Sequence, residues 1–143
     1  MTLSQLPWET FYLKLSQSVS ERSPCERLQV GCVLTRDNRV VSIGYNGSLS
    51  KHDHCDNQRT CLVQGQCIRT LHAEQNALIF ANQPCKGCVA YVTHTPCVVC
   101  YKLFHQAGII RIHWLTDYHK AFHTFDVLHP TFKWLTPTSV QLC

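Results

Sequence analysis

No stretch of this chain is apolar for long. The longest uninterrupted apolar runs are a few residues, far short of the roughly 20 that cross a bilayer, so a helical membrane span is not expected. The opening segment, "MTLSQLPWETFYLKLSQSVSERS", lacks a basic start followed by an apolar block, and no signal peptide is expected. Clustered basic residues are missing too. Thirteen Lys and Arg stand against nine Asp and Glu, for a formal charge of +4, without the basic track that a nucleic-acid binder carries. Repeats, low-complexity tracts and linkers are absent. With 143 residues, 45% hydrophobic and 15% charged, the composition is that of one globular domain, 1–143, with a single core. It excludes disordered and membrane-spanning classes. The expected location is the cytosol, of a cell or of a virus-infected cell.

Cysteine is plentiful, ten in all, and so is histidine, with nine. In a reducing compartment such cysteines serve as metal ligands or small buried residues rather than as disulfides. Most of the histidines are expected to be ordinary surface or core residues.

The pattern of elements is mixed. Trp8, Phe11, Tyr12, Leu15 and Val19 recur at helical spacing between about Gln5 and Ser20, with Pro7 near the start. "LQVGCVLT" and "RVVSIGY" read as strands joined by "RDN", a hairpin turning at Asp37 and Asn38. The following "NGSLSKHDHCDNQRTCLVQGQCIRT" is polar, aperiodic and rich in Cys and His. A long irregular insertion of this kind is either functional or braced by something. "LHAEQNALIFAN" reads as a helix, "CVAYVTH" as a strand, and "PCVVCYKLFHQAG" as a helix opened by Pro and closed by Gly. "IIRIHWL" is a strand, "DYHKAFHTFDVL" a helix and "TFKWL" a short final strand. Helices alternating with strands after a hairpin predict a three-layer α/β domain around a mixed sheet.

Two C-x-x-C pairs lie close together, Cys85 with Cys88 and Cys97 with Cys100. Cys97 and Cys100 open a predicted helix directly after Pro96, where free N–H groups and the helix dipole favour thiolates. A catalytic zinc takes three protein ligands and keeps a fourth position for water. His72 of "HAE" supplies the third ligand. Glu74 follows two residues later, and both side chains reach one site only from the entry of a helix, since positions two apart diverge within it. H-x-E followed by P-C-x-x-C is the signature of the zinc-dependent deaminases. There His72, Cys97 and Cys100 hold Zn²⁺, which acidifies a water, and Glu74 moves the proton to the ring nitrogen and the departing ammonia. Either motif alone would be weak; their ordered combination is specific. Cys85 and Cys88 run from a helix end into a strand and read as a coincidental pair of small buried residues.

Across nearly its whole length the chain resembles the deoxycytidylate (dCMP) deaminases, of bacterial and phage type. The resemblance rests on "SPCERLQVGCVL", "SIGYNGS", "GQCIRTLHAEQNAL", "YVTHTPC", "CYKLFHQAGI" and "TDYHK", in that order. It implies a cytidine-deaminase-like fold with a five-stranded mixed sheet flanked by helices. It also implies hydrolysis of dCMP to dUMP for thymidylate synthesis, a homohexamer, activation by dCTP, inhibition by dTTP, and Mg²⁺ accompanying the triphosphate. Asn46 matches the residue that binds the sugar 3′-hydroxyl; as part of Asn-Gly it also reads as a turn residue. Tyr45, Asn46 and Gly47 lie where the family's allosteric nucleotide docks.

Arg27 is a candidate for the 5′-phosphate, because a guanidinium grips phosphate with two hydrogen bonds, and it also reads as a solvated surface residue. Tyr118 is placed on the base or the phosphate, or at the edge of the core. His94 is a candidate for the pocket lining. Phe80 reads as a core residue, with packing near the substrate as the alternative. Some family members hold a second, structural zinc, through positions matching Cys25 and Cys55. Cys61 and Cys67 stand in for the other two ligands, with His52 and His54 as alternatives. Cys32 departs from the family's usual Ala, and "ANQPCKGC" departs in detail near a helix end on which the allosteric response depends. Competing readings are a deaminase of another small nucleoside or nucleobase, a tRNA adenosine deaminase, and a zinc-stabilised binding module. Residues 47–71 form a longer connection between Asn46 and His72 than tRNA adenosine deaminases have.

Overall fold

A computed structural model describes residues 4–50, 62–63, 66–67, 70–118, 128 and 131–143. The first helix, α1 (Trp8–Ser20), starts behind Pro7 and buries Tyr12, Ser16 and Val19. Trp8 and Phe11 share the apolar spacing yet are each 45% exposed, because they lie at the first turn, where they stack on Tyr12 rather than reach the sheet.

Strands β1 (Gly31–Arg36) and β2 (Arg39–Tyr45) form the expected hairpin. Asp37 and Asn38 sit at φ 52° and 56°, the left-handed pair that a two-residue hairpin turn demands. The Tyr12 hydroxyl donates to the Asn38 carbonyl at 2.7 Å and pins the hairpin tip to α1. Within the insertion, β3 (Gly47–Ser48) pairs with β6 (Thr70–Leu71), and β4 (Leu62–Val63) with β5 (Gln66–Cys67). Helix α2 (Ala73–Ile79) follows, shorter than its apolar pattern suggested.

Strand β7 (Val89–His94) leads through α3 (Val98–Ala107) to β8 (Arg111–Thr116), which lies parallel to it. Gly108, at φ 85°, ends α3; its N–H and that of Ile109 donate to the His105 and Phe104 carbonyls, the Schellman pattern that only a residue tolerating positive φ closes cheaply. The chain finishes with β9 (Phe132–Thr136) and β10 (Ser139–Leu142). The helix expected over "DYHKAFHTFDVL" lies almost wholly outside the described residues.

The main sheet has six strands in the order β2-β1-β7-β8-β10-β9, not the expected five, and "TFKWL" is not the last of them. The chain turns back after Thr136, where the Thr136 and Ser139 hydroxyls share a hydrogen bond of 2.7 Å. "SVQL" then inserts antiparallel between β8 and β9. Four residues with one clear apolar alternation are too short a run to stand out as a strand in sequence.

Helix α1 covers one face of the sheet over Val33, Val89 and Tyr91. Helices α2 and α3 cover the other over Cys32, Leu34, Ala90, Val92, Ile112 and Trp114. Both faces of β1 and β7 are therefore buried, as their continuous apolar runs require. The helices lie very close at two glycines. A Cβ on Gly31 would fall 2.1 Å from the Ser16 carbonyl oxygen, and one on Gly44 would fall 2.3 Å from that of Ala73. Beside Gly44, Ser42 Oγ donates to the Ala77 carbonyl at 2.6 Å and Asn76 Nδ2 to the Tyr45 carbonyl at 2.9 Å. Helix α2 is thereby seated on β2. Among the described residues, no helix is long and apolar enough to cross a membrane.

Candidate active site

His72 occupies the N-cap of α2 in extended conformation, with φ −72° and ψ 153°. Its N–H donates to Gln75 Oε1 at 2.8 Å, and its carbonyl accepts from the Asn76 N–H at 3.0 Å. Cys97 is likewise the N-cap of α3, with φ −72° and ψ 169°, directly after the buried Pro96. Two helix entries thus meet at the ends of β6 and β7. Extended backbone at each cap turns the cap side chain toward the other helix, and Cys100, in the first turn of α3, reaches the same point.

His72 Nδ1 lies 3.2 Å from Cys100 Sγ and 3.5 Å from Cys97 Sγ, and the three ligand atoms all lie within 4.8 Å of one another. Tetrahedral zinc, with its usual bonds to sulfur and nitrogen, sets N···S separations near ~3.6 Å. The donor set and its spacing therefore fit Zn²⁺, with two thiolates, one imidazole and a coordination position left for water. Among the described residues this is the one group of three or more His, Cys, Asp or Glu side chains so placed.

Electrostatics are shared across the cluster. A hydrogen bond from Cys100, assisted by His72, holds the Cys97 thiol down to about 4 against burial. The same bond, together with burial, drives Cys100 upward. The bond to Cys97 likewise raises His72. Glu74, second residue of α2, is 4% exposed. Burial pushes its carboxyl above the usual range, opposed by His72 and by a hydrogen bond with Cys100. A carboxyl that is easily protonated is suited to both taking and giving a proton.

A cleft of about 660 Å³ has Ser23, Cys25, Glu26, Arg27, Gln29 and His94 among its walls; His94, at the end of β7, is its link in sequence to Cys97. Arg27 and His94 thus meet at one cleft. Asn46 is buried and does not form a turn: its Oδ1 accepts from the Val30 N–H at 2.8 Å and its Nδ2 donates to the Leu28 carbonyl at 2.7 Å. It clamps the 28–30 segment that forms the cleft wall, and its backbone carbonyl accepts from Ser23 Oγ at 2.8 Å. Tyr45 and Gly47 flank it, with the Arg22 guanidinium 5.9 Å above the Tyr45 ring.

Tyr118 is 38% exposed, so it is not a buried core residue. Its N–H donates to Thr95 Oγ1 at 2.9 Å, beside the zinc-ligand pair. Phe80 is 69% exposed at the end of α2, which overturns its assignment to the core: α2 stops at Ile79, and the ring swings off the sheet. Cys25 is half-buried at the cleft. Cys55, Cys61, His52 and His54 lie outside the described residues, and of Cys67 only the backbone, in β5, is described.

Cys85 and Cys88 close a turn in which the Cys88 N–H donates to the Cys85 carbonyl at 3.0 Å, with Gly87 at φ 81°. Arg36 spans the turn, donating to the Pro84 carbonyl at 2.7 Å. Sequence reasoning passed over Thr93, whose hydroxyl joins β1 to His94. Its neighbour His94 was the available signal, since a threonine next to a pocket histidine can set which ring nitrogen carries the proton.

Residues 6–116 match the profile of a family described as cytidine and deoxycytidylate deaminase zinc-binding region. The chain is 36% identical over 119 residues to ComE operon protein 2 of Bacillus subtilis, an alignment covering 81% of this chain and 63% of that protein. It is 32% identical over 123 residues to the deoxycytidylate deaminase of Mycobacterium phage D29, covering 77% of this chain and 95% of the phage enzyme. Its fold is similar to that of the dCMP deaminase from cyanophage S-TIM5, solved in complex with dCMP and dUMP. The TM-score is 0.74 at 29% identity, over 88% of this chain and 93% of the phage chain.

Proposed function

Since this chain belongs to the cytidine and deoxycytidylate deaminase family, we propose that it is a zinc-dependent dCMP deaminase, hydrolysing dCMP to dUMP and ammonia and so supplying dUMP for dTMP synthesis. The observation that carries this reading is the convergence of His72 Nδ1, Cys97 Sγ and Cys100 Sγ beside a buried Glu74. The phage relative solved with dCMP and dUMP supports the choice of nucleotide.

Zn²⁺ held by His72, Cys97 and Cys100 supplies the Lewis acidity that makes a water nucleophilic at neutral pH. Glu74 accepts the proton from that water and passes it to the ring nitrogen next to the amine-bearing carbon. The hydroxide oxygen bonds to the amine-bearing carbon, Glu74 carries its remaining proton to the amino nitrogen, and the C–N bond breaks to release ammonia while the oxygen stays as the carbonyl. Burial raises the Glu74 carboxyl above the usual carboxylate range, which makes it a readier proton carrier. Arg27 grips the 5′-phosphate, His94 lines the cleft beside it, Asn46 meets the sugar, and Tyr118 closes over the nucleotide. Arg27 and His94 sharing one cleft supports the first two of these roles.

Residues 1–143 act as one catalytic domain, built around one six-stranded main sheet. The protein works in the cytoplasm of a bacterium or of a phage-infected host, a source that relatives from Bacillus subtilis and Mycobacterium phage D29 support, and its partners are small nucleotides rather than nucleic acid or membrane. It assembles as a homohexamer, which the exposed Val40, Ile43, Ile79 and Phe80 support. dCTP with Mg²⁺ activates it and dTTP inhibits it, through a site that includes Tyr45, Asn46 and Gly47. A second, structural zinc is held by Cys25, Cys55, Cys61 and Cys67.

Ammonia release from deoxycytidine, dCMP and dCTP, with and without Mg²⁺, dCTP and dTTP as effectors, tests substrate and regulation together. Preference for dCMP is expected. Activity confined to the nucleoside, or to adenosine in a tRNA loop, would replace dCMP as substrate. Glu74→Gln is expected to lower turnover about 10²- to 10⁴-fold while metal analysis still finds the zinc. Loss of the zinc, or full activity, would remove Glu74 from the proton-transfer role.

A further inference from the structure

We infer that Thr93 holds its neighbour His94 as a neutral imidazole with the proton on Nε2, and that this N–H donates to a phosphate oxygen of the bound nucleoside monophosphate. The inference rests on the nucleotide reading above.

Thr93 is 4% exposed, on β7. Its Oγ1 accepts from the Gly31 N–H at 3.1 Å and lies 2.8 Å from His94 Nδ1. A hydroxyl has one proton and two lone pairs. Gly31 takes one lone pair. Among the described residues, neither Thr93 nor His94 makes any other side-chain hydrogen bond. If His94 carried its proton on Nδ1, Oγ1 would accept twice and its own buried proton would have no acceptor. If the Thr93 hydroxyl donates to a bare Nδ1, every group is satisfied. The second arrangement is the one a buried site retains, since an unpaired buried donor is costly. It leaves the ring proton on Nε2.

Protonating His94 would recreate the unpaired hydroxyl, so the same geometry resists the charged form. Burial acts in the same direction, holding the imidazole below its usual pKa. His94 lines the cleft together with Arg27, and the other titratable or charged side chains on that wall are Cys25 and Glu26. With Nδ1 engaged, Nε2–H is the polar edge that the ring offers to a ligand. His94 stands three residues before Cys97, at most about 10 Å along extended chain. The reacting base belongs at the metal ligands, so donors at that remove meet the far end of one nucleotide. Arg27 and His94 together present N–H donors there, suited to a phosphate monoester.

The test uses zinc-replete protein labelled with ¹⁵N in its histidines, with His94→Asn identifying the signal. In the parent protein His94 should show a bare, hydrogen-bonded Nδ1 and a protonated Nε2, unchanged between about pH 6 and 8. Adding dCMP should move the Nε2–H resonance; adding deoxycytidine should leave it in place. Thr93→Val should release the ring into a mixture of tautomers that titrates, and Thr93→Ser should restore the single form. In turnover, Thr93→Val should raise KM for dCMP about tenfold without changing kcat, and leave KM for deoxycytidine as it was.

A protonated Nδ1 in the parent protein would overturn the tautomer assignment. Equal shifts of the Nε2–H signal by nucleoside and nucleotide, or equal KM changes, would overturn the phosphate contact. Should dCMP not be deaminated at all, the proposed function fails. The tautomer and the nucleotide-dependent shift are still decided by the spectra.

Discussion

Two pairs of cysteines share one spacing and one stretch of chain, yet differ in almost every property. Cys97 and Cys100 stand at the entry of α3 with the His72 imidazole against them, and the Cys97 thiol is pulled down to about 4. Cys85 and Cys88 sit in a tight turn ahead of β7, and burial pushes both of their thiols up, with Arg36 only partly opposing it. A spacing of three positions between cysteines is thus a permissive condition. What separates a ligand pair from an inert one is the third group that the fold brings up, here from a helix entry 25 positions earlier in the chain. The hydrogen bond from Cys100, with the imidazole, favours thiolate at Cys97; an enclosed turn favours thiol at Cys85 and Cys88.

The strongest way to break the contrast is to exchange the roles. Cys97→Ser should lose the catalytic zinc and drop ammonia release to background, whereas Cys88→Ala should keep zinc content and turnover and cost only about 1 kcal/mol of stability, read from denaturant midpoints. Zinc loss on changing Cys88 would show that the two pairs are one system. A finer comparison is reactivity. In protein stripped of metal, iodoacetamide at about pH 6 should alkylate Cys97 well before Cys85 or Cys88, as peptide mass spectrometry would show; simultaneous labelling would mean that the fold does not distinguish them.

The smallest effect concerns a group on which burial leads, with Arg111 adding to it and Glu9 opposing it, on the opposite side of the sheet. His113 stacks on Tyr91, and burial holds its imidazole below the usual value. Below about pH 6.5 the unfolded chain then binds the proton more readily than the folded one. Stability is therefore full above that pH and declines as pH falls beneath it. His113→Gln should flatten the acid limb of a melting-temperature profile measured with zinc in excess. His94 adds a contribution of the same sign, so the limb should shrink rather than vanish. An unchanged limb would discount His113.

Much of this organisation was legible in the amino acids. Asp37-Asn38 marks a hairpin because few residues accept left-handed backbone, and Pro96 with Gly108 brackets α3 because one cannot continue a preceding helix and the other ends one cheaply. His72, Cys97 and Cys100 stood out because their side-chain chemistry is scarce and their order is specific. Less local properties were hidden. Strand β10 is too short to announce itself, and the sixth position in the sheet follows from a turn, not from a pattern. The exposure of Phe80 depends on α2 ending one residue earlier, which its continuing apolar run conceals. Asn46 reads from its resemblance as a sugar-binding residue and from Asn-Gly as a turn residue, while its part in holding the Leu28 and Val30 backbone was not legible. Thr93 carried no signal of its own, because its part in the site depends on Gly31 from another strand.

Gly44 lies on β2, where α2 rests against it with no room for even a methyl group. That helix carries Glu74 and is capped by His72. In a survey of inactivating mutations, this glycine would therefore score alongside the metal ligands, although it touches neither metal nor nucleotide. A map of intolerant positions drawn from such a survey would trace the seat of α2 as well as the reaction centre. Telling the two apart would require asking which variants still fold.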